Sequence, residues 1–158
     1  MLFERTFDYD LVRAILTGPR MYPHMGDDFT CPVEQYRVPT DPRIWYVLAS
    51  EEWRAIGLFC FIPENEICWA AHVAMLRKVP PALTHRAGRQ VIRWLWNNTP
   101  CRRLIASVPV SNRAAVRFGL EAMGLRKFGV NEKSFLKGGR RRDQILMGRS
   151  PEVEISQV

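Results

Sequence analysis

Ile67-Cys68-Trp69-Ala70-Ala71-His72-Val73-Ala74-Met75-Leu76 decides the fold, together with two segments that follow it: Thr84-His85-Arg86-Ala87-Gly88-Arg89-Gln90-Val91-Ile92-Arg93-Trp94-Leu95 and Leu104-Ile105-Ala106-Ser107-Val108-Pro109-Val110. The first is an apolar run bounded by polar turns, which predicts a strand. In the second, Ala87, Val91, Trp94 and Leu95 recur at helical spacing, while Arg86, Gln90, Arg93 and Asn97 share the opposite face. That pattern predicts a helix, with Thr84 as its N-cap. Asn97-Asn98-Thr99-Pro100 stops it. The third segment is again a short apolar strand. A helix between two strands calls for a right-handed crossover and a parallel pair.

Upstream, two further strands are expected at Arg43–Ser50 and Arg54–Ile62, separated by the turn Glu51-Glu52-Trp53. With Pro63-Glu64-Asn65-Glu66 as the next turn, the three strands make an antiparallel meander. Before them, Asp8 caps a helix to Thr17, ended by Gly18-Pro19, and a second helical turn falls near Arg20–Met25 within a loop that runs to Pro42. Downstream, Ser111-Asn112 caps a helix over Arg113–Met123 that closes at Gly124. Strands at about Arg126–Phe135 and Asp143–Gly148 flank Lys137-Gly138-Gly139-Arg140, whose glycines permit a tight hairpin. The expected order is helix, three strands, helix, strand, helix, two strands.

The chain has 158 residues, 47% of them hydrophobic, which suits one core. The reading is a single domain over residues 1–149 with a loosely packed tail over 150–158. No apolar run approaches the roughly 18 residues of a membrane span, and the first residues lack an apolar run of signal-peptide length. The expected location is the cytoplasm. Cys31, Cys60, Cys68 and Cys101 lack CxxC spacing and read as buried free thiols, and His24, His72 and His85 are not paired at ligand spacing, so no metal is expected. The net charge is +7, and residues 77–149 hold most of the Arg and Lys. A basic half suits an anionic partner: a phosphorylated cofactor, an acidic protein surface or nucleic acid.

The order of elements resembles that of the GNAT acyl-CoA-dependent N-acyltransferases over nearly the whole chain. Three local features carry the likeness. The strand ending Ala71–Leu76 runs into a helix opening Thr84–Arg89. Ser107–Ala115 is similar to the family's strand, Asn and Ala-containing helix. Glu121-Ala122-Met123-Gly124-Leu125 is similar to the Gly-hydrophobic close of that helix. The blend also resembles small acyltransferase-like proteins of bacteriophages. The resemblance implies a mixed α/β (α+β) sheet, an antiparallel meander plus one splayed parallel pair, flanked by helices. It implies acetyl-CoA as cofactor, with pantetheine along Val73 and Met75, pyrophosphate at Thr84, His85, Arg86, Ala87, Gly88 and Arg89, and Asn112 facing the cofactor.

Two departures stand out. Arg86 falls where the family's phosphate loop has its first glycine. The helix after Asn112 is one residue longer than usual and offers Phe118 and Gly119 near the family's general-acid tyrosine. His72 is the candidate base, because a neutral imidazole near pH 7 takes a proton from an attacking amine; otherwise it is a packed histidine bonded to neighbouring backbone. Glu51, Glu52 and Glu66 read as solvated turn residues. The implied partners are acyl-CoA and an amine-bearing substrate, a host protein if the chain is phage-encoded, acting as monomer or homodimer. Two other readings stay open: a fold kept as a binding module without turnover, and a nucleic-acid binder using Arg140-Arg141-Arg142, for which a solvated basic loop is the simpler account.

Overall fold

A computed structural model of the chain describes residues 1–76 and 78–152. The elements are β1 (Leu2–Arg5), α1 (Tyr9–Leu16), α2 (Tyr22–Met25), β2 (Trp45–Glu51), β3 (Arg54–Pro63), β4 (Cys68–Met75), α3 (Pro81–Asn98), β5 (Arg103–Pro109), α4 (Arg113–Arg117) continued by a π-helical turn (Phe118–Ala122), β6 (Arg126–Lys137) and β7 (Arg140–Arg149). The tail assignment for 153–158, and the cation Arg77, lie outside the described residues.

The strands form one sheet in the order β1-β2-β3-β4-β5-β7-β6. All neighbours are antiparallel except β4 and β5, joined by the α3 crossover. One strand was not anticipated: β1 pairs antiparallel with β2, Phe3 opposite Ala49, and makes the sheet's edge.

Alternation along the strands divides the core in two. On the back face Trp69 and Ala71 of β4, Leu104 of β5 and Met147 of β7 pack with Ala87, Val91, Ile92 and Leu95 of α3. On the front face Leu58 and Ala74 pack with Val12 and Ile15 of α1. The successive residues of one strand thus serve opposite layers, as a period of two requires. α1 starts where expected, with the Leu11 N–H donating to Asp8 Oδ1 at 3.0 Å, a cap worth about 1 kcal/mol.

Three sequence expectations need correction. α3 begins at Pro81, and Thr84 is not its cap: the N–H of Leu83 and of Thr84 both donate to the Pro80 carbonyl. Proline suits a first helical position because its missing N–H would have no partner there. The helix after Asn112 is not regular throughout. Its last turn is π-helical, with Met123 N–H bonded to Phe118 O at 3.1 Å, and so takes up the additional residue between Asn112 and Gly124. Of the four free thiols only Cys101 is fully buried; the other three are half-buried.

The β6–β7 hairpin turns on Gly138 (φ +59°) and Gly139 (φ +68°), as the Gly-Gly pair predicts. Its tip is tied to the loop after α2. The backbone N–H groups of Gly138 and Gly139 each donate to an Asp28 carboxylate oxygen at 2.8 Å, and Lys137 Nζ donates to the carbonyls of Pro23 and Gly26.

Candidate active site

β4 and β5 are in register only over Cys68–Ala70 and Arg103–Ile105. Beyond Ala70, β4 stays with β3 as far as Met75 and β5 stays with β7 as far as Pro109. The two strands therefore part and leave a wedge. The Leu76 N–H bonds to Ile56 on the β3 side. Because backbone groups alternate sides along a strand, Ala71, Val73 and Met75 turn their N–H and C=O into the wedge, where no strand among the described residues meets them.

At the root of the wedge, on the front face, lies a cleft of about 220 Å³. Its polar groups are His72 from β4, Ser107 from β5 and Glu64 from the turn before β4; Ile105, Leu146 and Phe128 supply its apolar wall. His72 is open to solvent through the cleft mouth. Loss of hydration between the cleft walls holds its pKa below the ordinary imidazole value, against a smaller upward pull from Glu64. The surroundings therefore favour the neutral form of the ring. A larger hollow of about 270 Å³, between Phe3 of β1 and Arg93 and Trp94 of α3, is wide open and lies away from the wedge.

Phe128 enters the cleft through a β-bulge. The pairing of β6 with β7 shifts between Lys127 and Gly129, so Phe128 is the residue without an opposite number. Bulges re-aim side chains in this way. The guanidinium of Arg103 lies over the Phe128 ring, 5.3 Å from its centroid.

The cofactor positions expected from sequence have mixed surroundings. Val73 and Met75 line the wedge. Asn112 sits at the β5–α4 junction, its Oδ1 accepting from the Ala115 N–H at 3.2 Å, which is the expected cap. In α3 the side chain of Ala87 is buried in the back core. Gly88 packs on the π-helical turn: a Cβ there would lie 2.7 Å from Ala122 Cβ. The Thr84 N–H and hydroxyl both donate to Pro80 O. His85 is half-buried and Arg89 exposed. Arg86 is ion-paired with Glu51, whose other oxygen lies 2.8 Å from the Met1 ammonium. Glu51 is thus no solvated turn residue, and these cations hold its carboxyl below the usual range, the Met1 ammonium foremost. At the place where the resemblance implies a tyrosine, residues 118–120 offer no hydroxyl: Gly119 is buried, Phe118 packs on Phe59, and Leu120 follows.

The sequence alone did not point to Glu64, Phe128 or Arg103. Glu64 looked like any turn acid, and Phe128 like an ordinary strand residue. Only the bulge and the cleft bring Glu64 and Phe128 together with His72, and Arg103 joins them through the Phe128 ring.

No family model matches this sequence, and no curated protein matches it. Comparison with solved structures gives a clear result: the fold is that of the GNAT acetyltransferases. The chain is similar to spermidine N-acetyltransferase from Vibrio cholerae, solved with CoA and spermine, at 12% identity, covering 94% of each chain with a TM-score of 0.74. It is similar to yncA from Salmonella typhimurium, solved with acetyl-CoA, at 14% identity, 100% and 98% coverage and a TM-score of 0.71. Ribosomal-protein-alanine N-acetyltransferase from Brucella melitensis matches at 15% identity, with 96% and 100% coverage and a TM-score of 0.66.

Proposed function

We propose that this chain is an N-acyltransferase that moves an acetyl group from acetyl-CoA to a primary amine by direct attack. The observation that carries the reading is the wedge: strand backbone left without a partner beside a cleft that holds an imidazole kept neutral by its surroundings.

The residues divide the work as follows. The N–H and C=O groups of Ala71, Val73 and Met75 pair with the amides of the pantetheine arm, as an added strand would. A backbone N–H from the same stretch polarises the thioester carbonyl. When bound, acetyl-CoA supplies the acyl carbon: the C–N bond to the amine forms, the C–S bond breaks, and the electron pair leaves on sulfur. His72 accepts the proton that the amine sheds. The first turn of α3 faces the pyrophosphate with the Ala82 N–H and the positive end of the helix dipole, and Lys78 and Arg86 add charge at that end.

A second reading, a fold kept for binding alone, is favoured by one observation. Arg86 is taken up by Glu51, and Phe118, Gly119 and Leu120 carry no hydroxyl to protonate a leaving thiolate. One experiment separates the two: calorimetric titration of acetyl-CoA, followed by assay of free thiol release with a panel of primary amines. Saturable binding with amine-dependent thiol release supports the transferase. Binding without thiol release for any amine supports the binding module, and absence of binding overturns both the cofactor and the transferase.

A further inference from the structure

The cleft has an asymmetry of charge that bears on what it accepts. Glu64 is the only carboxylate among the described residues that line it. Against the Phe128 wall, and not itself in the lining, stands Arg103, which is paired with no carboxylate among the described residues. Its path is prepared. Arg103 starts on β5 and crosses β7 at Gly148, where a Cβ would stand 2.9 Å from Arg103 Nη2. It ends over the ring of Phe128 on β6. A residue with a side chain at position 148 would displace it. The guanidinium is thus held by its face, and its fork of donors has no hydrogen-bond partner among the described residues. Such a planar, pre-positioned fork suits a carboxylate.

We propose that the acceptor is a small molecule carrying one amine and, at the other end of an apolar body, a carboxylate. This rests on the transferase reading and specifies its substrate class. The amine lies at His72, with Glu64 attracting its ammonium form. The apolar body lies against Phe128, Ile105 and Leu146. The carboxylate meets Arg103. Size agrees: about 220 Å³ holds roughly seven waters at about 30 Å³ each. Spacing agrees as well. Cys68 is the register partner of Arg103, and His72 is four residues further along β4. That is about 13 Å of strand, shortened by the reach of the arginine side chain. A carboxylate on the carbon that bears the amine is too close to bridge this span; several bonds must intervene. A polyamine is disfavoured, because its second cation would meet Arg103 in a chain of net charge +7.

The test compares phenylethylamine, para-(aminoethyl)benzoate, phenylalanine and spermidine, by kcat/KM with acetyl-CoA and by calorimetric binding without it. The expected result is an advantage of about tenfold or more for para-(aminoethyl)benzoate over phenylethylamine in both measurements, the size of one charge-assisted contact at a half-exposed site. Arg103→Ala abolishes the advantage, read as the ratio between the two aryl amines within the same variant, and Arg103→Lys retains part of it. Equal use of the two aryl amines, a preference for spermidine or phenylalanine, or an advantage that survives Arg103→Ala overturns the inference. Failure of every amine to accept acetyl refutes the transferase reading instead, and the binding series with Arg103→Ala still decides whether this cleft recognises the carboxylate.

Discussion

Gly88 of α3 and Ala122 of the π-helical turn touch so closely that a methyl group on the glycine would stand 2.7 Å from the alanine Cβ and 3.0 Å from its carbonyl carbon. The obstacle is backbone as well as side chain, so it does not swing aside. Gly88→Ala gains up to about 1 kcal/mol in helix propensity but pushes two packed elements apart, at a cost of about 1–3 kcal/mol. We expect a fall in Tm of a few degrees, since about 1 kcal/mol shifts a domain of this size by about 2–4 °C. Calorimetry checks it, and an unchanged affinity for acetyl-CoA in the folded variant shows that Gly88 serves packing and not the cofactor.

In the proposed reaction His72 takes the proton from the amine. His72→Gln is expected to lower kcat by about a hundredfold or more while Tm and acetyl-CoA affinity hold. With an acceptor of low basicity, kcat/KM of the wild type falls as pH drops through an apparent pKa below 6.5, because protonation of the imidazole removes the base. Glu64 pulls that pKa upward, so Glu64→Gln moves the acid limb to still lower pH. An acid limb that stays in place in His72→Gln assigns the titration to another group.

Arg86 is held by Glu51 rather than left for an anion. Glu51→Gln keeps the shape and removes the charge that competes for the guanidinium. Tighter binding of acetyl-CoA is expected, with the gain lost in the double variant carrying Arg86→Ala. Equal affinities across the series would mean that Arg86 never reaches the phosphates.

Asp28 binds the hairpin tip by accepting from Gly139 and Gly138, and those N–H groups lower its pKa. Because the folded value lies below the unfolded one of about 3.9, the stabilisation is fully present above the unfolded value. It is lost as pH falls through the folded one. At neutral pH Asp28→Ala should speed amide exchange at Gly138 and Gly139 and leave exchange in β4 unchanged. Loss of protection throughout the sheet would show that the tie supports the whole domain.

Cys60 and Cys101 are pushed up to about 12 by burial, so both are protonated thiols at neutral pH. Direct attack on the thioester calls for no cysteine. The double Cys→Ala variant, if folded, retains acetyl transfer, and mass spectrometry of the wild type mixed with acetyl-CoA finds no acetyl adduct at either position.

The parallel pair was legible in the sequence, because a helical period between two apolar runs leaves few other topologies. The Asp8 and Asn112 caps and the Gly138-Gly139 turn were legible for a similar reason: each is local chemistry with one geometric outcome. β1 was not, since four residues with two charges and one buried side chain, Phe3, carry no pattern. The start of α3 went astray because Thr84 is an attractive cap on paper, whereas Pro80-Pro81 was the stronger signal. At the site, His72 stood out by its chemistry alone, and the structure places it in the cleft. Arg103 and Phe128 were not, because a bulge in β6 and a bare backbone at Gly148 bring them together, and neither is written in the local sequence. Glu51 acquires its role only from Arg86, 35 residues away.

An additional residue in a helix rotates everything after it by about 100°. The wide turn at Phe118–Ala122 absorbs that rotation within five residues. Gly119 still faces Met147, Ala122 still meets Gly88, and Met123 and Leu125 still enter the back core. The turn acts as a phase adjuster between two rigid parts. Upstream, the helix start is clocked to the end of β5; downstream, the chain is clocked to the sheet. One extra residue is thereby accommodated while the faces on either side stay aligned; a second would need another such turn.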